Sequence, residues 1–407
     1  MSTPDTALSA AMAAHKAERF DEAEAGYRQV LHARPNDPKA LYYLALLHFH
    51  RGELDAALKN IWHCLKYAPT HGHALNTLGS MLIAAGRASE AKDAYRRVTE
   101  VAPAMGEGWY NLGICQRDEG DVEGALLSLR EALFRQPDYF RAYEALASVL
   151  YQLGRLDESA DTYREWAVRE PSNPQARHMV AATSKRNAPQ RAADDYVQQL
   201  FDRSAAGFDA NLARLGYRAP NLVADALSRC TEGAMLAAAL DAGCGTGLCG
   251  PLVRARCERL VGVDLSTKML DLARTRAVYD ELVAAELGAF MRSRPEAFDA
   301  VICADTLVYF GALEEPLRAV HTTLRAPAWF IFTVEAIAAA AAGHGYRLES
   351  TGRYAHSEAY LRHALDATNF DIATLRSESL RLEGQQDVPG YLIVARPRGT
   401  PPRNPSL

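Results

Sequence analysis

One glycine-rich run in the second half of the chain constrains the fold more than any other feature. The run Leu240-Asp-Ala-Gly-Cys-Gly-Thr-Gly247 follows an apolar stretch, 235–240, that predicts a buried strand. Its three glycines permit backbone conformations that a Cβ disfavours, so a ligand can approach the main chain. A second apolar stretch, Leu260–Val263, ends on Asp264, where a βαβ unit places a carboxylate that accepts hydrogen bonds from ribose hydroxyls. The pattern predicts a nucleotide-cofactor site.

The glycines alone leave two classes of cofactor open. Gly245-x-Gly247-x-x-Gly250 also fits the dinucleotide fingerprint, in which the following helix binds a pyrophosphate. Asp241 decides between them, because an acid beside the turn suits a cationic amino acid moiety and repels a pyrophosphate. With this acid, the segment resembles the first motif of class I S-adenosylmethionine-dependent methyltransferases. The dehydrogenase-like alternative must explain the missing second mononucleotide half.

Further segments follow in the order of that family. Three apolar stretches predict strands at 282–285, 298–305 and 329–334, and 370–381 with 390–396 predict the closing hairpin of a mostly parallel, seven-stranded, Rossmann-like sheet. The resemblance implies S-adenosyl-L-methionine as cofactor, with an acid that contacts the adenine amino group and a backbone amide that faces the ring. The implied cofactor residues are Asp241, Gly243, Cys244, Gly245, Gly247, Asp264, Leu265, Met269, Glu286, Leu287 and Asp305.

The first half of the chain has a 34-residue period, which is the tetratricopeptide signature. The first repeat departs from the pattern, with Glu18 where the others have glycine. Small residues let paired helices approach closely, the glycine opens the turn between them, and the proline follows the second helix. The repeating positions are prolines 35, 69, 103, 137 and 171, glycines 52, 86, 120 and 154, and alanines 23, 57, 91 and 125. This predicts an all-α tetratricopeptide solenoid.

We therefore expect two domains. Residues 2–185 would hold about five repeats and a capping helix at 173–183, and 190–397 the methyltransferase domain. The polar stretch 185–190 marks the boundary, and the proline-rich tail 398–407 is expected to be disordered. The whole chain resembles bacterial proteins that join tetratricopeptide repeats to a methyltransferase domain.

Composition excludes several partners. A net charge of -5 without a basic tract argues against nucleic acid. No secretory pattern opens the chain, and the most apolar late run, 329–342, is interrupted by Glu335, so we expect a soluble protein without membrane contact. The seven cysteines include no Cys-x-x-Cys pair, which favours reduced thiols in the cytoplasm. The histidines have no metal spacing, and we expect no metal.

Three segments supply candidate groups for the methyl acceptor. The lead-in before the first strand contains Phe208, Tyr217 and Arg218, which would cover the site; ordinary helix packing is the alternative for Phe201 and Phe208. The segment after the fourth strand contains Asp305 and Tyr309, although Asp305 would alternatively cap a helix. A predicted loop, 352–357, adds further polar groups, with Ser357 as a possible helix cap. The catalytic candidates are His356 as base, Tyr309, and Arg353 as an anion-binding group, with Tyr354 beside the substrate.

Two functions remain open from the sequence. The first is an active methyltransferase whose repeats recruit a partner or present the substrate, which would be a small molecule or a protein. The second is an inactive methyltransferase-like scaffold that acts through protein binding. The resemblance places a concave groove on the first helices of the repeats, where a protein segment or another copy of the chain would bind. Its lining would include Lys39, Tyr42, Phe49, His73, Asn76, Tyr110, Arg141 and Tyr151.

Overall fold

The computed structural model describes residues 3–184, 188–338, 345–383 and 386–399. The chain divides into two compact units, Met1–Arg169 and Glu170–Leu407. The helix expected to cap the repeats therefore lies in the second unit, while the domain limits 2–185 and 190–397 stay a prediction. The start of the predicted boundary, 185–187, and the predicted disordered tail from 400 onward lie outside the described residues. None of the described helices is long and apolar enough to cross a membrane.

The described part of the first unit is a series of five helix pairs. Each odd-numbered helix packs on the even-numbered helix that follows it, and each pair packs on the next. This confirms the predicted solenoid. The helices are α1 Pro4–Lys16, α2 Phe20–Ala33, α3 Pro38–His50, α4 Leu54–Tyr67, α5 Gly72–Ala84, α6 Ala88–Val101, α7 Gly106–Asp118, α8 Val122–Arg135, α9 Arg141–Gln152 and α10 Leu156–Arg169.

The 34-residue period marks the contacts within and between these pairs. The four periodic alanines are completely buried, and the four periodic glycines lie between paired helices with φ from 72° to 87°. Glu18 adopts the same left-handed region, with φ 59°, although it is not a glycine. A further series of small residues with the same period is Ala45, Gly79, Gly113 and Ala147. At Gly79, on α5, a Cβ would lie 2.4 Å from the ring of Tyr95 on α6. The repeating small residues thus lie where paired helices approach each other closely.

The second unit begins with helices and continues as one mixed sheet. The helices before the sheet are α11 Pro174–Ser184, α12 Asp194–Ser204, α13 Phe208–Arg214 and α14 Ala219–Thr231. The strands are β1 Leu236–Ala242, β2 Cys257–Asp264, β3 Glu281–Ala284, β4 Phe298–Cys303, β5 Leu324–Ala336, β6 Tyr346–Leu348, β7 Tyr354–His356, β8 Phe370–Glu383 and β9 Gln386–Pro397. The remaining helices are α15 Gly250–Val253, α16 Thr267–Thr275, α17 Leu287–Arg292, α18 Glu314–Thr323 and α19 Glu358–Ala367.

Five parallel strands in the order β3-β2-β1-β4-β5 form the centre of the sheet. β9 pairs antiparallel with β5, and β8 pairs antiparallel with β9. These seven strands confirm the predicted Rossmann-like sheet with its antiparallel closing hairpin. Two short strands were not predicted: β7 pairs with the end of β5, and β6 pairs with β7. The segment expected to be a loop around residue 354 is therefore part of the sheet.

Each face of the sheet is buried by a different group of helices. Side chains of α17, α18 and α19 cover one face, and those of α14 and α15 cover the other. The central strands are buried on both sides, which explains their nearly continuous apolar sequences. The loops at the carboxyl ends of these strands are left to form a site.

Candidate active site

A cavity lies at the carboxyl ends of β1, β2, β3 and β4. Its empty volume, counted together with the open solvent at its mouth, is about 1240 Å³. Its wall contains the predicted residues Asp241, Gly243, Cys244, Gly245, Asp264, Leu265, Glu286, Leu287, Asp305, Phe208, Tyr217, Tyr309 and Arg353.

The glycine turn is shaped by close contact on one side and by open space on the other. Gly243, Gly245 and Gly247 all have positive φ, of 73°, 54° and 81°. A Cβ at Gly243 would lie 2.3 Å from the side chain of Thr306, whereas a Cβ at Gly245 would meet nothing within 4 Å. The main chain at Gly245 therefore faces free space, where a ligand fits. Gly247 itself does not line the cavity.

Asp264 is fixed by backbone amides on both sides. One carboxylate oxygen accepts a hydrogen bond from the amide of Gly245 at 2.8 Å, and the other accepts one from the amide of Ser266 at 2.9 Å. Ser266 in turn caps α16 by accepting from the amide of Met269. The amide of Leu265 also donates to the carboxylate of Asp264. A carboxylate has about four acceptor sites, so Asp264 retains capacity for a hydroxyl group of a ligand. Met269 is fully buried behind this turn and lies outside the cavity wall, so the expectation that it touches the cofactor is not supported.

Asp241 is a buried acid at the end of β1. Its side chain is only 1% exposed and accepts a hydrogen bond of 2.7 Å from the hydroxyl of Tyr279. Burial raises the pKa of Asp241 to about 7. A cationic ligand group beside it would stabilise the ionised form.

Glu286 has less free capacity than the sequence suggested. Its two oxygens cap α17 by accepting from the amides of Gly288 at 3.0 Å and Ala289 at 2.6 Å, and the guanidinium of Arg191 lies 3.0 Å away. Three of about four acceptor sites are therefore occupied. Glu286 and Leu287 line the cavity, but Glu286 also serves as a helix cap.

The helices before the sheet form a cover over the cavity. Asp202 on α12 accepts a hydrogen bond of 2.5 Å from the Ser266 hydroxyl, and Asp209 on α13 accepts one of 2.5 Å from Thr246. The cover is thus joined to both loops of the predicted cofactor motif. It also brings an aromatic side chain of each helix to the cavity wall. These are Phe201 and Phe208, with Phe201 edge-on to Phe208 at 5.9 Å and to Tyr309 at 5.5 Å.

The predicted roles of His356 as base and of Tyr354 beside the substrate are not supported, because neither residue lines the cavity in the described structure. Both lie on β7 and are completely buried. Nε2 of His356 is 3.1 Å from the carbonyl oxygen of Gly311, and burial lowers the pKa of this histidine to about 4. The Tyr354 hydroxyl donates to the carbonyl of Pro189 at 2.7 Å. Strand pairing, which the sequence did not predict here, turns both side chains into the interior.

The prediction that Arg218 covers the site is not supported either. Its amide donates to the carbonyl of Leu380 at 2.9 Å, and its guanidinium donates to the carbonyl of Ser379 at 3.2 Å. These bonds attach the lead-in segment to β8, so Arg218 lies outside the cavity wall. Its neighbour Tyr217 does reach the cavity.

Asp305 takes part in a buried ionic cluster and does not cap a helix. Its backbone has φ 55°, and one carboxylate oxygen accepts from the hydroxyl of Thr333 at 2.9 Å. The other oxygen lies 2.9 Å from the guanidinium of Arg381, which is 4% exposed on β8. Arg381 also pairs with Glu335 and, at 2.9 Å, with Glu383.

Arg353, the residue before β7, completes this cluster. It pairs with Glu335 at 2.7 Å and also with Glu383. Arg353 and Arg381 both line the cavity. Arg381 was not predicted, although a signal existed: Glu335 interrupts the apolar run at the end of β5, and a buried charge requires a partner.

Comparisons with known proteins identify both parts of the chain. Residues 240–332 match the family model of a methyltransferase domain, and residues 8–59, 76–133 and 116–174 match that of a tetratricopeptide repeat. The chain therefore carries tetratricopeptide repeats and a methyltransferase domain, as the sequence predicts. The bacterial origin suggested by the resemblance stays a prediction.

Individual relatives cover only one part each. Methyltransferase-like protein 27 of Homo sapiens is 39% identical over 118 residues, which is 28% of this chain and 48% of the relative. Tetratricopeptide repeat protein 8 of Caenorhabditis elegans is 25% identical over 146 residues, 35% of this chain and 29% of the relative. Ubiquinone biosynthesis O-methyltransferase of Chromobacterium violaceum is 31% identical over 101 residues, 23% of this chain and 42% of the relative. The chain spans less than half the length of each of these relatives.

Proposed function

We propose that the chain is an active methyltransferase that uses S-adenosyl-L-methionine, and that its repeats recruit a partner protein or present the substrate. One observation carries the cofactor assignment: the carboxylate of Asp264 is held by the amides of Gly245 and Ser266 at the wall of a cavity that also contains Asp241. Asp264 would accept a hydrogen bond from a ribose hydroxyl. Asp241 would attract the cationic amino acid moiety.

The residues around the cavity fit such a group. Gly245 leaves the backbone open to a ligand, and the aromatic faces of Phe201, Phe208 and Tyr309 would attract a cation and exclude water. When bound, the cofactor supplies an electrophilic methyl group on a sulfonium. The protein then has to hold the acceptor in line with that methyl group.

The acid available for a proton transfer is Asp305. His356 lies away from the cavity, whereas Asp305 lines it, and burial raises the pKa of the Asp305 carboxyl. A carboxyl with a raised pKa is a better proton acceptor at neutral pH than an exposed one. We therefore assign the role of base to Asp305 for any acceptor that arrives protonated.

The repeats offer a polar and aromatic surface for recruitment. Tyr110 lies edge-on to Tyr139 at 5.3 Å, and the guanidinium of Arg141 lies 5.3 Å from the Tyr110 ring. Asn76, in contrast, is 7% exposed and accepts a hydrogen bond from Asn111, so it supports the surface from below. The partner would be a protein segment or a second copy of the chain. The seven cysteines are free thiols, which supports our placing the protein in the reducing cytoplasm.

Calorimetric titration of the full chain tests the cofactor assignment. We expect S-adenosylmethionine and S-adenosylhomocysteine to bind and NAD not to bind. Asp264→Asn should weaken binding by about 1.5–3 kcal/mol, the usual loss for a hydrogen bond to a charged acceptor. The matched control is Asp271→Asn, on an exposed side chain of the neighbouring helix α16, which should bind like the wild type.

The other outcomes discriminate between the alternatives. Tight binding of NAD alone would replace the proposal with a dehydrogenase-like function. A folded chain that binds neither molecule would favour the inactive scaffold. Transfer of an isotopically labelled methyl group to the macromolecular or the small-molecule fraction of a cell extract would then show which class of acceptor the repeats serve.

A further inference from the structure

The cavity has a second end, which the cofactor motif does not explain. We call it the acceptor end, and define it by the cavity-lining residues Tyr217, Asp305, Tyr309, Arg353 and Arg381. These residues come from the lead-in segment, the segment after β4, the residue before β7, and β8. They lie far apart in sequence, and the fold brings them together beside the glycine turn.

The two guanidiniums of the acceptor end are already paired within the protein. Arg381 makes ion pairs through Nε, Nη1 and Nη2, and Arg353 makes them through Nε and Nη2. Their partners are Asp305, Glu335 and Glu383. A carboxylate or phosphate on the acceptor would have to compete with these internal carboxylates, so the earlier expectation that Arg353 binds an anionic acceptor loses its basis.

The balance of charge in the cluster is negative. Three carboxylates face two guanidiniums, which leaves one net negative charge in a largely buried region. Asp241 and Asp264 add two further acids along the same cavity. A positive group entering from solvent would be attracted, because charges interact more strongly away from water.

Aromatic rings line the same cavity. Phe201, Phe208 and Tyr309 form an edge-on group at the cavity wall, and Tyr217 lies in the wall as well. Burial raises the pKa of Tyr309 to about 12, so this phenol stays neutral. Neutral aromatic faces next to carboxylates are the arrangement that binds ammonium groups.

We propose that the methyl acceptor is an amine, bound as its ammonium form between the aromatic rings and the ionic cluster of the acceptor end. This inference rests on the proposed function and specifies its substrate class. It selects an amine over a carboxylate, a phosphate or a neutral alcohol.

The transfer is balanced with the residues present. The ammonium group gives one proton to the carboxylate of Asp305, and the freed nitrogen lone pair forms a bond to the methyl carbon while the carbon–sulfur bond breaks. The electron pair of that bond stays on sulfur, which becomes a neutral thioether. The products are an N-methylammonium and a protonated Asp305, which returns its proton to water. The positive charge lost at sulfur is regained on nitrogen, next to the negative cluster.

The experiment measures the affinities of the full chain, saturated with S-adenosylhomocysteine, for three small probes. The probes are 2-phenylethylamine, 2-phenylethanol and phenylacetate, which share a ring and differ in the charge of the polar group. We expect the amine to bind at least about tenfold more tightly than the other two, from its cation–π and charge contacts. Asp305→Asn should reduce this preference several-fold, and Asp271→Asn should keep it.

A second variant keeps the test decisive if Asp305→Asn does not fold. Glu383→Gln changes a side chain that is 36% exposed and makes the net charge of the cluster zero. It should therefore reduce the difference in affinity between the amine and phenylacetate. Binding of S-adenosylhomocysteine is measured in every variant, and its loss in the wild type would count against the proposed function itself. If the wild type binds S-adenosylhomocysteine but prefers phenylacetate, or shows no preference for the amine, the amine assignment is wrong while the methyltransferase proposal stands.

Discussion

Replacing Asp241 by asparagine should make the apoprotein more stable and should lower its affinity for the cofactor. The carboxyl is 1% exposed, and its oxygen accepts a hydrogen bond from Tyr279 at 2.7 Å. Asparagine can accept the same bond through its amide oxygen, so the substitution removes the charge and preserves the geometry. The two effects have opposite signs, which no general disruption of the fold would produce.

The size of the stability effect follows from the pKa. Burial raises the pKa of Asp241 from 3.8 to about 7, so the fold favours the protonated acid. Asp241 therefore does not reduce the free energy of unfolding below about pH 4, but it lowers that free energy progressively as the pH rises to about 7. Three pKa units correspond to about 4 kcal/mol. Asp241→Asn should avoid this loss, and its advantage in unfolding temperature should be large at pH 8 and small at pH 4.

Cofactor binding should respond in the other direction. The ammonium group of the amino acid moiety pairs with the ionised carboxylate. The affinity of the wild type for S-adenosylhomocysteine should therefore increase about tenfold for each unit by which the pH rises toward 7, and then level off. Asp241→Asn should bind it weakly and without this dependence. Adenosine, which lacks the ammonium group, provides the matched ligand control and should not show the rise.

Thermal unfolding from pH 4 to 8 and calorimetry at pH 6 and 8 measure both effects, with Asp271→Asn as the control variant. A less stable Asp241→Asn protein at pH 8 would show that the carboxylate is stabilised by its surroundings rather than penalised by burial. An equal affinity of the wild type for S-adenosylhomocysteine at pH 6 and pH 8 would refute the role of Asp241 in binding the ammonium group.

Two further predictions concern stability. Gly79→Ala should lower the free energy of unfolding by about 1–3 kcal/mol, because its Cβ would lie 2.4 Å from the Tyr95 ring. This loss should outweigh the greater helix propensity of alanine, which is about 1 kcal/mol. Urea unfolding measures the effect, and Gly207→Ala is the control, since a Cβ at Gly207 meets nothing within 4 Å. Arg381→Met should cost about 3–5 kcal/mol, because it leaves buried carboxylates unpaired, and adding Glu335→Gln should recover part of that loss. If Gly79→Ala or Arg381→Met is as stable as the wild type, the contact on which that prediction rests is contradicted.

The sequence predicted those parts of the fold that local patterns determine. Five repeats were visible because the close contacts between helices recur at a fixed spacing, and the central strands were visible because burial on both faces makes them apolar. β6 and β7 were not predicted, since a three-residue strand such as Tyr354–His356 has too few positions to show an alternating pattern. Their existence depends on pairing with the distant end of β5.

The same distinction applies to the candidate site. The glycine turn, Asp241 and Asp264 lie within one continuous motif, so their positions followed from sequence. The partnership of Asp305 with Arg381 spans 76 residues and depends on how β8 lies against the rest of the sheet. His356 was misplaced for a related reason: which face of a strand a side chain occupies depends on register, and a shift of one residue reverses it.

The closing hairpin separates two groups of cavity residues along the chain. The residues of the cofactor motif that line the cavity lie between 241 and 287, whereas Arg381 comes from β8, about a hundred residues later. If the proposed acceptor end binds the methyl acceptor, substitutions in the hairpin should change acceptor preference while they leave the cofactor motif intact.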